Sequence, residues 1–191
     1  MRRRLTIAAV ALPGLLLAAL GVAHPHALAP STAVLWWQLH VVLLPLFPLL
    51  AVALVVLLRG EGGALAWLAR IAAYVYAVFY TALDVLAGIG AGYVTDRLQS
   101  GSQVALDLRS LGNALGFVGS WAFLAAAVLT CAVLLRRHGT RALAGSAALF
   151  AGAANFVYAH IYWPVGGLAM IAVAGGCAML ETVRSRPSAP R

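Results

Sequence analysis

Long apolar runs alternate with short polar gaps along the whole chain, and the runs have the length of a bilayer crossing. A hydrocarbon core of about 30 Å needs roughly 20 helical residues. Six runs meet that need, at residues 5–22, 33–58, 64–92, 111–135, 142–161 and 165–183. The last two come from one continuous apolar stretch, which Pro164, Gly166 and Gly167 divide by marking a turn. The pattern predicts an all-α fold: a polytopic membrane helix bundle of six transmembrane helices forming a single transmembrane domain, residues 1–191.

The polar gaps set the orientation. With six crossings, Arg2, Arg3, Arg4, Arg59, Arg70, Arg136, Arg137, Arg141, Arg184, Arg186 and Arg191 fall on one side. Only Arg97 and Arg109 fall on the other, beside Asp96 and Asp107. Cytoplasmic loops carry the excess of basic residues, so both termini are expected in the cytoplasm. The expected location is the cell (plasma) membrane, of bacterial inner-membrane type. Trp36 and Trp37 open the second run, and Tyr162 and Trp163 close the fifth, as interfacial aromatics do on the outer side.

Composition narrows the class further. Charged residues make up 9% of the 191, against about a quarter in soluble domains. The chain has no lysine, so the formal net charge of +8 is carried by arginine. These arginines are split among short loops and form no stripe interleaved with aromatics, which argues against nucleic acid and for lipid headgroups as their partner. The small size leaves room for a homo-oligomer or a larger membrane complex. Cys131 and Cys177 both sit inside apolar runs and read as small packing residues.

Residues 1–23 admit a second reading. Three arginines, an apolar stretch and Gly21-Val22-Ala23 also resemble a cleavable secretory signal, whose removal would leave His24 with a free amino group. The polytopic character of the remaining chain favours an uncleaved first helix.

Inside the membrane, helices associate through small residues and polar contacts. Gly88 and Gly92, Gly112, Gly116 and Gly119, Ala144, Ala148 and Gly152, and Ala172 and Gly176 supply such faces. Pro45 and Pro48 lie within the second run. Each removes a backbone donor, which predicts a bend just below His40. The polar stretch from Thr95 to Ser110 is expected to lie on the outer surface as a short lid.

Four histidines and one acid then fall at one depth, in the outer third. His24 and His26 form a His-Pro-His in the first outer loop, His40 lies one turn below Trp36, and His160 ends the fifth run. Asp84 lies in the third run, where an ionised carboxylate must face the bundle interior and find a partner or a proton. Tyr76, Tyr80 and Asp84 recur at four-residue spacing, with Thr81 beside them, and form a candidate proton path or hydrogen-bond seam. Asn155 belongs to a polar face of the fifth run from which His160 is offset, so helical spacing does not aim the two at one spot.

Imidazole and carboxylate together suit zinc, and imidazole alone suits copper or haem iron. The expected metal set is therefore His24, His26, His40, Asp84 and His160, with His40, Asp84 and His160 innermost. No pair has the close spacing of a metal motif such as HxxxH. Three functions fit this arrangement: an outward-facing metal or haem site, a proton- or ion-coupled carrier titrating Asp84, or a non-catalytic membrane subunit or assembly factor. The first also admits catalysis, through a metal-bound water acting on a lipid or peptide near the outer interface.

Overall fold

A computed structural model describes residues 1–185; Arg186 and Arg191, expected among the cytoplasmic arginines, lie outside the described residues. The elements in chain order are α1 (Arg2–Ala23), α2 (Ala33–Leu43), α3 (Leu46–Leu57), α4 (Ala64–Leu83), a π-helical segment (Asp84–Gly90), α5 (Ala91–Leu98), α6 (Gln103–His138), α7 (Leu143–Ala159) and α8 (Val165–Arg184). Among the described residues there is no strand.

Five segments are long and apolar enough to cross a membrane: Arg2–Ala23, Ala33–Leu57, Ala64–Leu98, Gln103–Ala159 and Val165–Arg184. The fourth contains a tight 3-10 turn at Gly139–Ala142, after which α7 packs back against α6. Large apolar side chains such as Leu12, Val52, Ile71, Phe150 and Leu168 point outward. An outer surface with this many exposed large apolar side chains suits lipid.

Each irregularity has a local cause. Pro45 has no N–H to continue the ladder, so the second segment breaks into α2 and α3, where the sequence predicts a bend. The Tyr76 hydroxyl donates to the Phe47 carbonyl just beyond the break, at 3.1 Å. The π-helical segment widens the third segment at Asp84–Gly90, and the Ala87 carbonyl accepts a bond from Trp36 Nε1 at 3.1 Å. Gly88 lies directly against the His40 ring, and a Cβ there would overlap it.

The expected surface lid is absent from the structure. Residues 95–98 finish α5, and α6 starts at Gln103, so only 99–102 form a turn. Two local signals explain this. The Ser102 side chain caps α6 by accepting from the Ala105 N–H at 3.2 Å, and Gln103 donates to Asp107 one turn on, at 2.7 Å.

The two ends of the bundle differ in chemistry. At one end Arg3 reaches Ser185 and Thr182, while Arg59 and Arg184 both hold Glu181, at 2.5 and 3.0 Å. Arg70 caps the Leu58 and Glu61 carbonyls nearby. Glu181 is fully buried, and the apolar pattern of the last predicted span runs straight through it. At the other end lie Trp36, Trp37, Arg97, Arg109 and the histidines. Between them Phe47, Tyr76, Tyr80, Phe123 and Phe156 form an aromatic core that runs up to His160.

Candidate metal centre

His24, His40 and His160 come from three separate parts of the chain. His24 ends α1, where the chain leaves the helix in an extended conformation. His40 sits in the last turn of α2, its ring over Gly88. His160 follows α7 with a φ of +47°, a left-handed conformation uncommon outside glycine. That reversal turns its ring back into the bundle. Such conformations cost of order 1–3 kcal/mol and cluster at functional sites.

One ring nitrogen from each of the three lies within 4.8 Å of the other two. Their hydrogen bonds indicate which nitrogens are free. His24 Nδ1 lies 2.8 Å from the Pro25 carbonyl and His40 Nδ1 lies 2.8 Å from the Trp36 carbonyl. A carbonyl oxygen only accepts, so both Nδ1 atoms carry the proton, and in the neutral rings both Nε2 atoms present a lone pair. His24 Nε2 is buried and has no hydrogen-bond partner. His160 Nδ1 lies 2.5 Å from the Tyr80 hydroxyl, which can accept as well as donate. With Nδ1–H donating to Tyr80, the third Nε2 is free as well. Metal-bound histidines almost always donate the second ring N–H to an oxygen in this way.

Ring spacing supports the same arrangement. An imidazole bound to zinc at about 2.0–2.1 Å has its centroid roughly 3.2 Å from the metal, and tetrahedral angles space such centroids by roughly 5.2 Å. The His24–His40, His24–His160 and His40–His160 centroids are 5.0, 5.4 and 6.3 Å apart. Closing the widest gap needs a movement of roughly 1 Å. Haem fits less well. A porphyrin held between His40 and His160 would lie midway between their rings, and His24 stands beside that midpoint.

The other expected residues take different places. His26 is exposed and stacks on Tyr162 at 5.6 Å, while His24 meets the same Tyr162 edge-on at 4.8 Å, so the His-Pro-His directs only its first ring inward. Asp84 is completely buried in the π-helical segment, and neither carboxylate oxygen has a hydrogen-bond partner. It does not join the group of three. Thr81 makes no bond to it, and Asn155 is exposed, donating to the Ala151 carbonyl of its own helix. Tyr76 and Tyr80 are both buried but bond to different groups, Phe47 and His160. Burial lowers the pKa of His24 below the usual 6.5; the Pro25 carbonyl opposes that effect and His26 adds to it.

The outer aromatics hold the rings in position. Trp36 contacts both His24 and His40, at 5.0 and 5.3 Å, and Tyr162 contacts His24 and His160. Trp36 and Tyr162 stand in the sequence as interfacial anchors, and nothing in their spacing signals this second role. The whole is a bundle of apolar helices, compatible with a membrane protein, that carries a histidine cluster at one end. No family model, characterised protein or solved structure matches the chain.

Proposed function

We propose that this is a six-crossing integral membrane protein that binds a transition-metal ion, zinc or copper, through His24, His40 and His160 near its outer face. The convergence of three ring nitrogens within 4.8 Å, with each Nδ1 beside an oxygen, carries this reading. Three imidazoles leave a fourth tetrahedral position for water or another ligand, the pattern of metal sites that do more than hold a fold. Imidazole alone accepts either metal, and copper(II) binds such sites more tightly than zinc.

The crossing count follows if α6 and α7 each span the bilayer, and the turn between them carries His138 and Arg141. Arg3, Arg59, Arg70 and Arg184 then share the cytoplasmic side with both termini, in a cell membrane. Cysteines introduced at Gly62 and Gly101, where a side chain meets nothing within 4 Å, test this. In intact cells an impermeant maleimide should label position 101 and not position 62; the reverse pattern inverts the topology.

The metal reading is tested by titrating detergent-purified, chelator-stripped protein with zinc and with copper(II), and by measuring bound metal per chain. One equivalent should bind, and His24→Ala, His40→Ala and His160→Ala should each abolish it. Sub-stoichiometric binding that survives all three substitutions would remove the reading.

A further inference from the structure

Beside the histidines, a cavity of about 320 Å³ lies between α2, α4, α6 and α7. His40 and His160 form part of its wall, with Trp36, Tyr80 and Tyr162. Along α6 it is lined by Arg109, Asn113, Phe117 and Ser120, a path of roughly 16 Å at 1.5 Å per residue. The lining therefore changes with depth. Along α6, Arg109 and Asn113 stand at the outer end, Phe117 follows and Ser120 lies deepest, while Phe156, Val157 and Leu83 supply apolar wall from the neighbouring helices. Phe117 and Tyr158, which line the cavity, are exposed on the outside of the bundle.

Arg109 is the unusual member. It is half-buried, with its guanidinium 5.7 Å from the centroid of the Trp36 ring. No carboxylate lies within ion-pair distance of it among the described residues, where both ion pairs involve Glu181 at the opposite end. Asp107 on the same helix is instead engaged by Gln103. A cation with no carboxylate at ion-pair distance, set in a cavity of mixed polar and apolar lining beside the exposed Phe117 and Tyr158, matches a molecule with one anionic group and one alkyl chain.

We propose that this cavity binds an anionic single-chain amphiphile, a phosphodiester or carboxylate head paired with Arg109 and its tail running along Phe117, Phe156 and Val157. The head then lies beside His40 and His160. This adds a ligand class to the histidine site, but binding needs no metal there.

The test uses the full-length protein in a neutral detergent, treated with chelator, and native mass spectrometry of bound adducts. The probes are lysophosphatidylglycerol, palmitate and, as the zwitterionic counterpart, lysophosphatidylcholine. At least one anionic probe should bind at concentrations where the zwitterion does not. Preference for lysophosphatidylglycerol identifies a phospholipid source, and preference for palmitate a free fatty acid. Arg109→Gln should weaken the anionic adduct by about tenfold or more, the effect of losing a bond to a charged group, with partial rescue by Arg109→Lys. Val157→Phe, which narrows the tail region and leaves the arginine in place, should also reduce binding. Unfolding followed by tryptophan fluorescence confirms that the variants are folded. Equal binding of all three probes, or an unchanged adduct in Arg109→Gln, would overturn the proposal. Zinc titration of Arg109→Gln should match the parent chain, so the metal reading and this one fail separately.

Discussion

Tyr80→Phe removes one oxygen and leaves the aromatic core in place. The ring contacts of Tyr80 with Phe47, Phe156 and Tyr76, at 4.7, 4.9 and 5.4 Å, involve only carbon atoms that phenylalanine retains. The bond lost is the 2.5 Å contact with His160 Nδ1. In the metal-bound state that nitrogen must carry the proton and donate it, and without Tyr80 it has no acceptor. Leaving a buried donor unsatisfied costs about 1–3 kcal/mol. Loss of an outer partner of a metal-bound histidine typically weakens binding about 10- to 100-fold, or about 1.4–2.8 kcal/mol, so two independent estimates agree. Competition of purified protein against a chromophoric zinc chelator measures the change directly. Tyr80→Phe should bind one zinc with a dissociation constant raised into that range, whereas His160→Ala should bind none. Wild-type affinity in Tyr80→Phe would mean that the Tyr80 contact does not orient His160 for a metal.

Further predictions follow from the other groups. Asp84→Asn should leave zinc affinity within about twofold of the parent, because Asp84 stands outside the three-histidine group; a tenfold loss in the same chelator competition would restore it as a ligand. Glu181→Ala should destabilise the bundle by about 2–3 kcal/mol, since it leaves Arg59 and Arg184 without their shared carboxylate, and an unfolding titration in mixed micelles reads this directly. The magnitude stays below that of a fully buried pair because Arg59 is 41% exposed. Burial depresses the pKa of His24, so below pH 6.5 the unfolded chain binds more protons at this residue than the native one, and stability should fall on acidification. His26, His40, His160 and Tyr162 surround the His24 ring, and protonation of a ligating imidazole opposes metal binding. Because the folded His24 holds its proton less tightly than a free imidazole, zinc affinity should change little from His24 near pH 6.5 and fall on further acidification. An affinity flat from pH 7 to 4 would contradict imidazole ligation.

Most of the fold was legible because hydropathy at bilayer length is a strong signal, and the break at Pro45 follows from the missing backbone donor. Depth was legible too, since counting residues from the interfacial aromatics brings His24, His40 and His160 to one level. Azimuth was not. Helical spacing offsets His160 from its neighbours, but α7 ends at Ala159, and the positive φ of His160 takes it off the helical wheel. Asp84 drew attention through the cost of a carboxylate in oil, a rule that indicates an inward orientation but not a partner. Glu181 was missed although the same rule applies to it. Its run tolerates one acid without losing its apolar average, and its partners Arg59 and Arg184 read as loop charges.

The two ends of the bundle handle buried polar groups in opposite ways. At the arginine-rich end, charge is matched by charge: Glu181 is surrounded by two guanidinium groups and leaves no oxygen without a partner. At the histidine end, among the described residues, no carboxylate joins the imidazoles, since Asp84 stands outside their group. The rings are fixed instead through their Nδ1 atoms, and that leaves the other nitrogens of His24 and His40 as lone pairs, that of His24 buried with no partner. Lone pairs brought together have nothing to offer one another, so such a cluster needs a hydrogen-bond donor, a proton or a cation among them. Burial opposes the proton at His24, as its lowered pKa records. A metal ion would satisfy all three rings at once and would tie together α1, α2 and the α7–α8 turn, in addition to the close packing of Gly21 on the Ile161 backbone.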